Sequence, residues 1–277
     1  MKKIEALAGL KCINDATGVS LGSFDGIHIG HLRLLKELIE DCREKGLKSL
    51  VYTFKNHPRD ITNPEKSPNI IITCEEKEII LREMGIDYFV TLPFDKFHME
   101  ISAEDFVEEI FIKDLNMKSL TVGTDCRFGY KAKGDIEFLK SYSDKGIFDL
   151  NVVWPVKVNG NVVSSTLIRK FISEGDIKMA RNLLGRPYCI DGIVIKGKQV
   201  GRKLGFPTAN LLVSNKKALP KPGVYITRTY INGKKYPSIT NVGYNPTFSQ
   251  KNYNIETHII DFSHNLYGQK IKVEFLD

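Results

Sequence analysis

The segment LGSFDGIHIGH, from Leu21 to His31, constrains the fold more than any other part of this sequence. The stretch TGVSLGSF, which overlaps its start, is short, apolar and rich in β-branched residues, as is typical of a buried strand. Apolar residues at helical spacing follow, at Leu32, Leu35, Ile39 and Cys42. Glycines and two imidazoles, His28 and His31, therefore stand where a helix begins, and the free amide donors of a helix N-terminus bind phosphate. The segment indicates a nucleotide site in an α/β fold.

Strand-like and helix-like segments alternate through the first two-thirds of the chain. Strands are predicted over 47–54, 86–94 and 117–123 and in FDLNVVWPV, and helices are predicted after Thr73, from Ser102 and over 134–146. Thr73 and Glu76 have the spacing of a capping box, and the helix over 134–146 is expected to end at its glycine. This alternation predicts a parallel sheet with helices on both faces, in which ligands bind at the carboxyl ends of the strands.

The pattern changes near residue 185. Short alternating runs such as GVYITRTYI and IKVEFLD replace the helical periods, and Asn232-Gly233 is a strong hairpin signal. Five or six strands in about ninety residues predict a small antiparallel barrel or sandwich. We therefore divide the chain into domains at 1–184 and 185–277.

Composition excludes several classes of protein. The net charge is +7, but the lysines are scattered among acids, which favours small anionic ligands over nucleic acid. The five cysteines never form CxxC, so neither a disulfide framework nor a zinc site is expected. No apolar run is long enough to span a bilayer and the N-terminus lacks a signal-peptide core, so a cytoplasmic protein without a membrane partner is expected.

The two histidines and a second motif are the first candidates for chemistry. His28 and His31 are either structural groups, half of a metal site, or donors to phosphate oxygens in a transition state. In SSTLIRKFISEGD, Ser164, Ser165 and Thr166 can cap a helix, and Arg169 is expected in the first turn after them. Hydroxyls, helix amides and one guanidinium together suit a pyrophosphate.

Further candidates follow other predicted strands. His57 lies in FKNHPRD, and Asp125 and Arg127 lie in VGTDCRFGYKAKGD; each loop is either structural or part of a binding edge. Phe24 and the glycines near it, Gly22 among them, would let a nucleotide approach the backbone.

The C-terminal part has its own candidates. Gly192, Gly197 and Gly201 surround an expected hairpin whose backbone either turns or wraps a nucleotide. The oxygens of Thr208 and Asn210 suit Mg²⁺, or form a polar pair on a strand. Alternation places Glu256 and His258 on one face of a strand, where Glu256 is either solvated or accepts a substrate proton.

The N-terminal part resembles the HxGH nucleotidylyltransferase superfamily and, in detail, the FMN adenylyltransferase module of bacterial riboflavin kinase/FAD synthetases. The matching strings are LGSFDGIHIGH, FKNHP, GTDCRFG, KGD, SSTLIR and ARNLLGRPY. The resemblance implies a Rossmann-like fold in which His28 and His31 bind ATP phosphates and stabilise the α-phosphorus. It also implies roles for two further groups of residues. Ser164, Thr166 and Arg169 would hold the pyrophosphate that leaves. His57, Asp125 and Arg127 would line the nucleotide and flavin pockets. The sequence departs from the family at Asn56, Cys126 and Lys131.

The C-terminal part is similar to the riboflavin kinase domain, through GRKLGFPTAN, PGVYI, TNVGYNPTF, IETHIIDF and LYGQKI. The resemblance implies a small β-barrel, with Thr208 and Asn210 on Mg-ATP and Glu256 as the base for the ribityl hydroxyl. It assigns Gly197, Gly201 and Lys203 to ATP. Kinase domains of this family continue past VEFLD with a C-terminal helix over the flavin, whereas this sequence ends at Asp277, so a kinase domain without that helix is expected.

The sequence thus predicts an enzyme that phosphorylates riboflavin to FMN and adenylylates FMN to FAD, using ATP and Mg²⁺ on small-molecule substrates. Two alternatives stay open at this point. One is an FMN adenylyltransferase with an inactive kinase domain, and the other is a non-catalytic flavin-sensing or RNA-binding regulator. The oligomeric state is not predicted.

Overall fold

The structure is a computed structural model that describes residues 1–197, 207–245 and 252–277. Its described residues form two compact units. The first unit comprises Met1–Pro68 and Thr73–Val163, and the second comprises Asn69–Ile72 and Ser164–Asp277. Each unit has its own sheet and its own buried residues.

A six-stranded, wholly parallel sheet organises the first unit. Its strands are β1 (Lys2–Ile4), β2 (Thr17–Leu21), β3 (Lys48–Phe54), β4 (Tyr88–Leu92), β5 (Met117–Gly123) and β6 (Asp149–Val153). They lie in the order β1-β4-β3-β2-β5-β6. A short antiparallel pair, β7 (Lys157–Val158) and β8 (Asn161–Val162), follows. The predicted parallel sheet is confirmed, whereas β1, β7 and β8 are too short to show a periodicity.

Helices connect these strands. They are α1 (Ile29–Lys45), α2 (Arg59–Thr62), α3 (Cys74–Glu83), α4 (Lys96–Glu100), α5 (Ala103–Asp105) and α6 (Ile136–Ser143), with short 3₁₀ segments at Leu7–Cys12, Pro64–Lys66 and Tyr130–Ala132. The predicted capping box of α3 is confirmed, because Thr73 and Glu76 exchange both of its hydrogen bonds. The expectation that α6 ends at a glycine is wrong: it ends at Ser143, and Gly146 lies beyond it with a positive φ of 70°.

The helix predicted from Ser102 has an unusual continuation. After α5, residues Phe106–Asp114 form a π-helix, seen for example in the bond from the Leu115 amide to the Ile110 carbonyl at 2.9 Å. A π-helix is rare at this length, because its wider turn packs the backbone less well. The predicted apolar face is nevertheless confirmed, since Phe106, Val107, Ile110 and Phe111 are all buried.

Aromatic rings fill the core between this helix and the sheet. Tyr52 meets Phe106 edge-on with centroids 5.8 Å apart, and Phe106 meets Phe111 at 5.0 Å. Such pairs add about 1 kcal/mol each to the burial of their area. The one polar group of Tyr52 is satisfied, because its hydroxyl bonds the Nε2 atom of buried His98 at 3.0 Å.

The second unit begins with two helices and ends in a barrel. The helices are α7 (Ser165–Glu174) and α8 (Ile177–Leu184), and the strands are β9 (Tyr188–Ile195), β10 (Thr208–Leu212), β11 (Gly223–Ile231), β12 (Lys234–Asn245), β13 (Asn252–Ile259) and β14 (Lys270–Phe275). The strands close in the order β10-β13-β12-β11-β14-β9, and every pairing is antiparallel. The predicted barrel is confirmed, as is the Asn232-Gly233 hairpin, whose residues have φ of 48° and 78°. Gly192, expected near a hairpin, lies inside β9.

The interior of the barrel contains a chain of hydroxyl groups. Thr229 bonds Ser238, Ser238 bonds Thr227, Thr227 bonds Thr240, and Thr240 bonds Thr257, with oxygen–oxygen distances of 2.8–2.9 Å. All five side chains are buried. A hydroxyl can both donate and accept, so a chain of them satisfies its own buried polar atoms.

None of the helices that the structure describes is long and apolar enough to cross a bilayer.

Candidate active sites

Three loops with candidate residues leave the same edge of the parallel sheet. They follow β3, β2 and β5, which are neighbours in the sheet, and carry His57, His28 and Asp125 respectively. From β2 the chain builds outward to β3 and β4 on one side, and β5 and β6 lie on the other. Ligands of open α/β sheets bind at such a switch point. The fold therefore brings these three loops to the edge at which a ligand is expected.

The loop after β2 has a strained backbone. Phe24 and Ile27 have positive φ of 46° and 36°, and both are buried. Non-glycine residues rarely adopt these angles, and such strain persists where the surroundings fix it. A Cβ at Gly22 would lie 3.1 Å from the Phe24 ring, so the ring can fold over this position because it is glycine.

His28 and His31 form one unit at the start of α1. His28 is the N-cap residue, and its Nδ1 accepts the His31 amide at 3.3 Å. The proton of the neutral imidazole is therefore on Nε2. The two rings stack with centroids 3.6 Å apart and 13° between their planes, and Phe24 meets His31 edge-on at 5.3 Å. A Cβ at Gly30 would lie 3.2 Å from the His28 ring, which explains the glycine between the histidines.

The neighbouring loops are held by their own backbones. The Nδ1 atom of His57 accepts a hydrogen bond from the Arg59 amide at 3.0 Å, so the neutral form of His57 also carries its proton on Nε2. Asp125 lies so close to Gly123 that a Cβ there would be 2.9 Å from its Oδ1. Arg127 is exposed, and its Nη1 donates to the Cys126 carbonyl at 2.8 Å. Burial raises the pKa of the Cys126 thiol to about 12, so this loop carries a neutral thiol.

The hydroxyl and guanidinium motif lies at the start of α7 in the second unit. Ser164 is the predicted N-cap, and its hydroxyl accepts the Leu167 amide at 3.3 Å. Thr166 is exposed in the first turn. Arg169 comes three residues after Thr166, within the turn that follows the hydroxyls as expected, and it is the fifth residue of α7. Its Nε donates to the Asn69 carbonyl at 2.7 Å, so one edge of the guanidinium is fixed.

Strand register assembles a second cluster in the barrel. Asn210 lies opposite Glu256, and Thr208 lies opposite His258, in the pairing of β10 with β13. Residues directly opposite each other share a face, so all four lie on one face of the barrel wall. The Glu256 Oε1 accepts a hydrogen bond from the side-chain amide of Asn254 at 2.5 Å. The Nδ1–H of His258 donates a hydrogen bond to the Pro207 carbonyl at 2.9 Å. A Cβ at Gly197 would lie 2.4 Å from the Asn210 side chain.

A cavity of about 460 Å³ adjoins this cluster. Gly197, Thr208 and Asn210 line one side of it, and Phe262, His264 and Tyr267 belong to the loop on the other. Its volume is within the range of small-molecule sites, roughly 300–1,000 Å³. The barrel unit therefore has a ligand-sized space beside polar side chains.

Comparison with known proteins identifies both units. A family model for FAD synthetase matches residues 11–167, and one for riboflavin kinase matches residues 184–277. The chain belongs to the bifunctional riboflavin kinase/FMN adenylyltransferase family. Its FAD synthetase and riboflavin kinase domains give it both activities, for which riboflavin, FMN and ATP are the substrates, so the predicted fold class, family and reactions are confirmed.

Relatives of this family match nearly the whole chain. The bifunctional riboflavin kinase/FMN adenylyltransferase of Buchnera aphidicola is 37% identical over 99% of this chain and 88% of its own length. Those of Bacillus subtilis and Escherichia coli are 34% and 33% identical, and the match covers 82% of each. A crystal structure from Streptococcus pneumoniae, described as a macrolide-efflux protein, is 33% identical with a TM-score of 0.90, covering 100% of this chain and 90% of that one. That description belongs to the other protein.

Sequence reasoning missed a buried lysine next to the histidine loop. Lys77 is buried on α3 and contacts the loop after β2. The sequence offered one signal for this residue. Lys77 stands four residues before the buried Leu81, which places a lysine on the apolar side of an amphipathic helix. Two predicted ATP-binding residues of the kinase domain, Gly201 and Lys203, lie outside the described residues.

Proposed function

We propose how the two reactions are divided and which residues carry them. Residues 185–277 phosphorylate riboflavin to FMN, and residues 1–184 join FMN to the AMP part of a second ATP, releasing pyrophosphate. The observation that carries this proposal is the stacked His28–His31 pair at the N-terminus of α1, where the two imidazoles and the helix amides offer donors to phosphate.

In the adenylyl transfer, an oxygen of the FMN phosphate attacks the α-phosphorus of ATP. The bond from this phosphorus to the oxygen that bridges to the β-phosphate breaks, and its electrons leave with pyrophosphate. Donors aimed at such developing charge provide most of the catalysis in phosphoryl transfer. In our proposal His28 and His31 donate to the oxygens around the α-phosphorus, and Ser164, Thr166 and Arg169 hold the departing pyrophosphate.

The remaining residues of the first domain surround the substrates. In our proposal Gly22 and Phe24 allow the nucleotide close to the backbone of the loop after β2. His57, Asp125 and Arg127 line the nucleotide and flavin pockets. The position of their loops beside the histidine loop supports the assignment of His57 and Asp125. The Nη1 atom of Arg127 donates to the Cys126 carbonyl of its own loop, and its other guanidinium nitrogens would contact the ligand in our proposal.

In the kinase reaction, Glu256 accepts the proton of the ribityl hydroxyl as its oxygen attacks the γ-phosphorus, and ADP leaves. The position of Glu256 opposite Asn210, which lines the ligand-sized cavity, supports this role. Gly197 leaves room for the Asn210 side chain, and Gly201 and Lys203 complete the contacts to ATP.

Mg²⁺ fits the oxygen atoms of Thr208 and Asn210. Hydroxyl and amide oxygens are ligands that this hard cation accepts, and it keeps several waters besides. Among the described residues, no cluster of three or more His, Cys, Asp or Glu competes for a metal. Bound there, the ion would neutralise charge on the ATP phosphates.

Small molecules are the only partners that these reactions require. Because both steps consume ATP, we place the protein in the cytoplasm.

One experiment tests the proposal. The protein is incubated with ATP and Mg²⁺ and either riboflavin or FMN, and the flavins are separated by chromatography. We expect FMN and then FAD from riboflavin, and FAD from FMN, with both reactions abolished by EDTA. FAD from FMN alone would mean that only the adenylyltransferase is active, and no product from either flavin would refute the proposal.

A further inference from the structure

Lys77 is a buried lysine that the proposed chemistry does not use. Its side chain is 6% exposed, although lysine is almost never buried without a partner. It lies on α3 four residues before Leu81, which is inaccessible to solvent. An apolar residue at this position would avoid the cost of removing a charge from water. Packing therefore does not explain the lysine.

The contacts of Lys77 lie at the start of the histidine loop. Its ammonium donates to the Ser23 carbonyl at 2.6 Å and lies 3.3 Å from the Thr53 Oγ1. The Thr53 hydroxyl donates to the same carbonyl at 3.1 Å. Two side chains from different elements, α3 and β3, thus converge on one backbone oxygen next to Phe24, where the strained backbone begins.

Charge also links Lys77 to this loop. Burial lowers the pKa of the Lys77 ammonium, and the negative charge of Asp25 opposes that shift. Asp25 is itself buried, and it lies between Phe24 and Gly26, which both have positive φ. The Asp25 carboxylate and the Ser23 carbonyl therefore stabilise the buried Lys77 ammonium only while the loop retains its shape.

We infer that Lys77 is a positioning residue for adenylyl transfer, which fixes the loop Ser23–Ile27 and thereby the imidazoles of His28 and His31. The inference rests on the proposed role of those histidines. Phe24 transmits the constraint, because its ring contacts His31 edge-on. Loss of the ammonium allows the strained loop to relax, and a catalytic group displaced by about 1 Å can lose about a hundredfold in rate.

The test compares Lys77→Met with Lys118→Met, a substitution at an exposed lysine on β5. We expect kcat for FAD formation from FMN to fall about a hundredfold in Lys77→Met. The KM for ATP should change little, riboflavin phosphorylation should be unchanged, and Lys118→Met should match the wild type. The effect of Lys77→Met should shrink sharply in a His28→Ala background, because residues that act as a unit are non-additive.

A second variant covers the case in which Lys77→Met does not fold. Thr53→Val removes the hydroxyl that donates to the Ser23 carbonyl and accepts from the Lys77 ammonium. It leaves the ammonium in place, so it should lower the same kcat by a smaller factor, about threefold to tenfold. Full adenylyltransferase activity in either folded variant would overturn the inference, as would equal loss of both activities. A wild-type protein that makes no FAD from FMN would instead refute the proposed function.

Discussion

The two candidate sites of this protein are built in opposite ways. The histidine site takes its turn, its helix cap and both imidazoles from the single run Leu21–His31. The kinase site takes Asn210 and Glu256 from separate strands that meet only through the register of β10 with β13. A site of the first kind can be recognised in the sequence as a motif, whereas the residues of a site of the second kind come together only when the barrel strands pair.

The first prediction breaks the histidine site while keeping its local structure. His28→Ala removes the N-cap and the donor, whereas His28→Asn keeps a side chain that caps well. We expect FAD formation from FMN to fall about a thousandfold in both variants, because a transition-state donor is lost. Only the alanine variant should also lose about 1 kcal/mol of stability toward urea.

Riboflavin phosphorylation by the same protein is the control for these variants. It should be unchanged, since the kinase residues lie in the other unit. Recovery of adenylyltransferase activity in His28→Asn would show that His28 serves only as a cap.

The second prediction breaks the non-local site at its base. Glu256→Gln keeps the size of the side chain and its position opposite Asn210 but cannot accept a proton. We expect the kcat for riboflavin phosphorylation to fall about a hundredfold, as is typical for loss of a general base. FAD formation from supplied FMN should be unchanged, and an unaffected kinase rate would remove Glu256 from the mechanism.

The third prediction sharpens the comparison with a single methyl group. In Gly197→Ala the new Cβ would lie 2.4 Å from the Asn210 side chain, whereas in Gly223→Ala its nearest neighbour is 3.8 Å away. We expect displacement of the Asn210 side chain to weaken the binding of Mg-ATP by about 1.5 kcal/mol. The KM for Mg-ATP in the kinase reaction should therefore rise about tenfold. The Gly223→Ala variant is the matched control, and an equal KM in both would show that Asn210 does not contact Mg-ATP.

The fourth prediction concerns the stability of the barrel that holds the non-local site together, rather than a reaction rate. Thr240 bonds two other hydroxyls of the interior chain, whereas Thr229 at its end bonds one. Thr240→Val should lower the free energy of unfolding by about 2 kcal/mol and Thr229→Val by about 1 kcal/mol, because buried partners are left unpaired. Urea unfolding measures both, and equal losses would show that the chain does not act as a connected network.

Local signals allowed much of the first unit to be predicted. The capping box of α3 and the helix start at His28 depend on contacts three residues apart, which sequence spacing records directly. The Asn232-Gly233 hairpin is local in the same sense.

What could not be predicted depends on distant contacts. The register that places Asn210 opposite Glu256 follows from closure of the whole barrel. The apolar pattern of Phe106–Asp114 also fits an ordinary helix, so the pattern alone does not indicate the π-helical form. The role of Lys77 depends on which carbonyl it meets, although its place on an apolar helix face marked it as unusual.

The segment Asn69–Ile72 has a consequence for how this protein can be made and divided. It lies early in the chain but belongs to the later unit, where the Ile70 amide donates to the Lys216 carbonyl at 2.7 Å and the Ile70 carbonyl accepts the Ala218 amide at 2.8 Å. During synthesis these four residues leave the ribosome long before their partners exist. A single cut in the gene therefore cannot separate the two units. A fragment that starts at Ser164 does not encode Asn69–Ile72, which belong to the same unit.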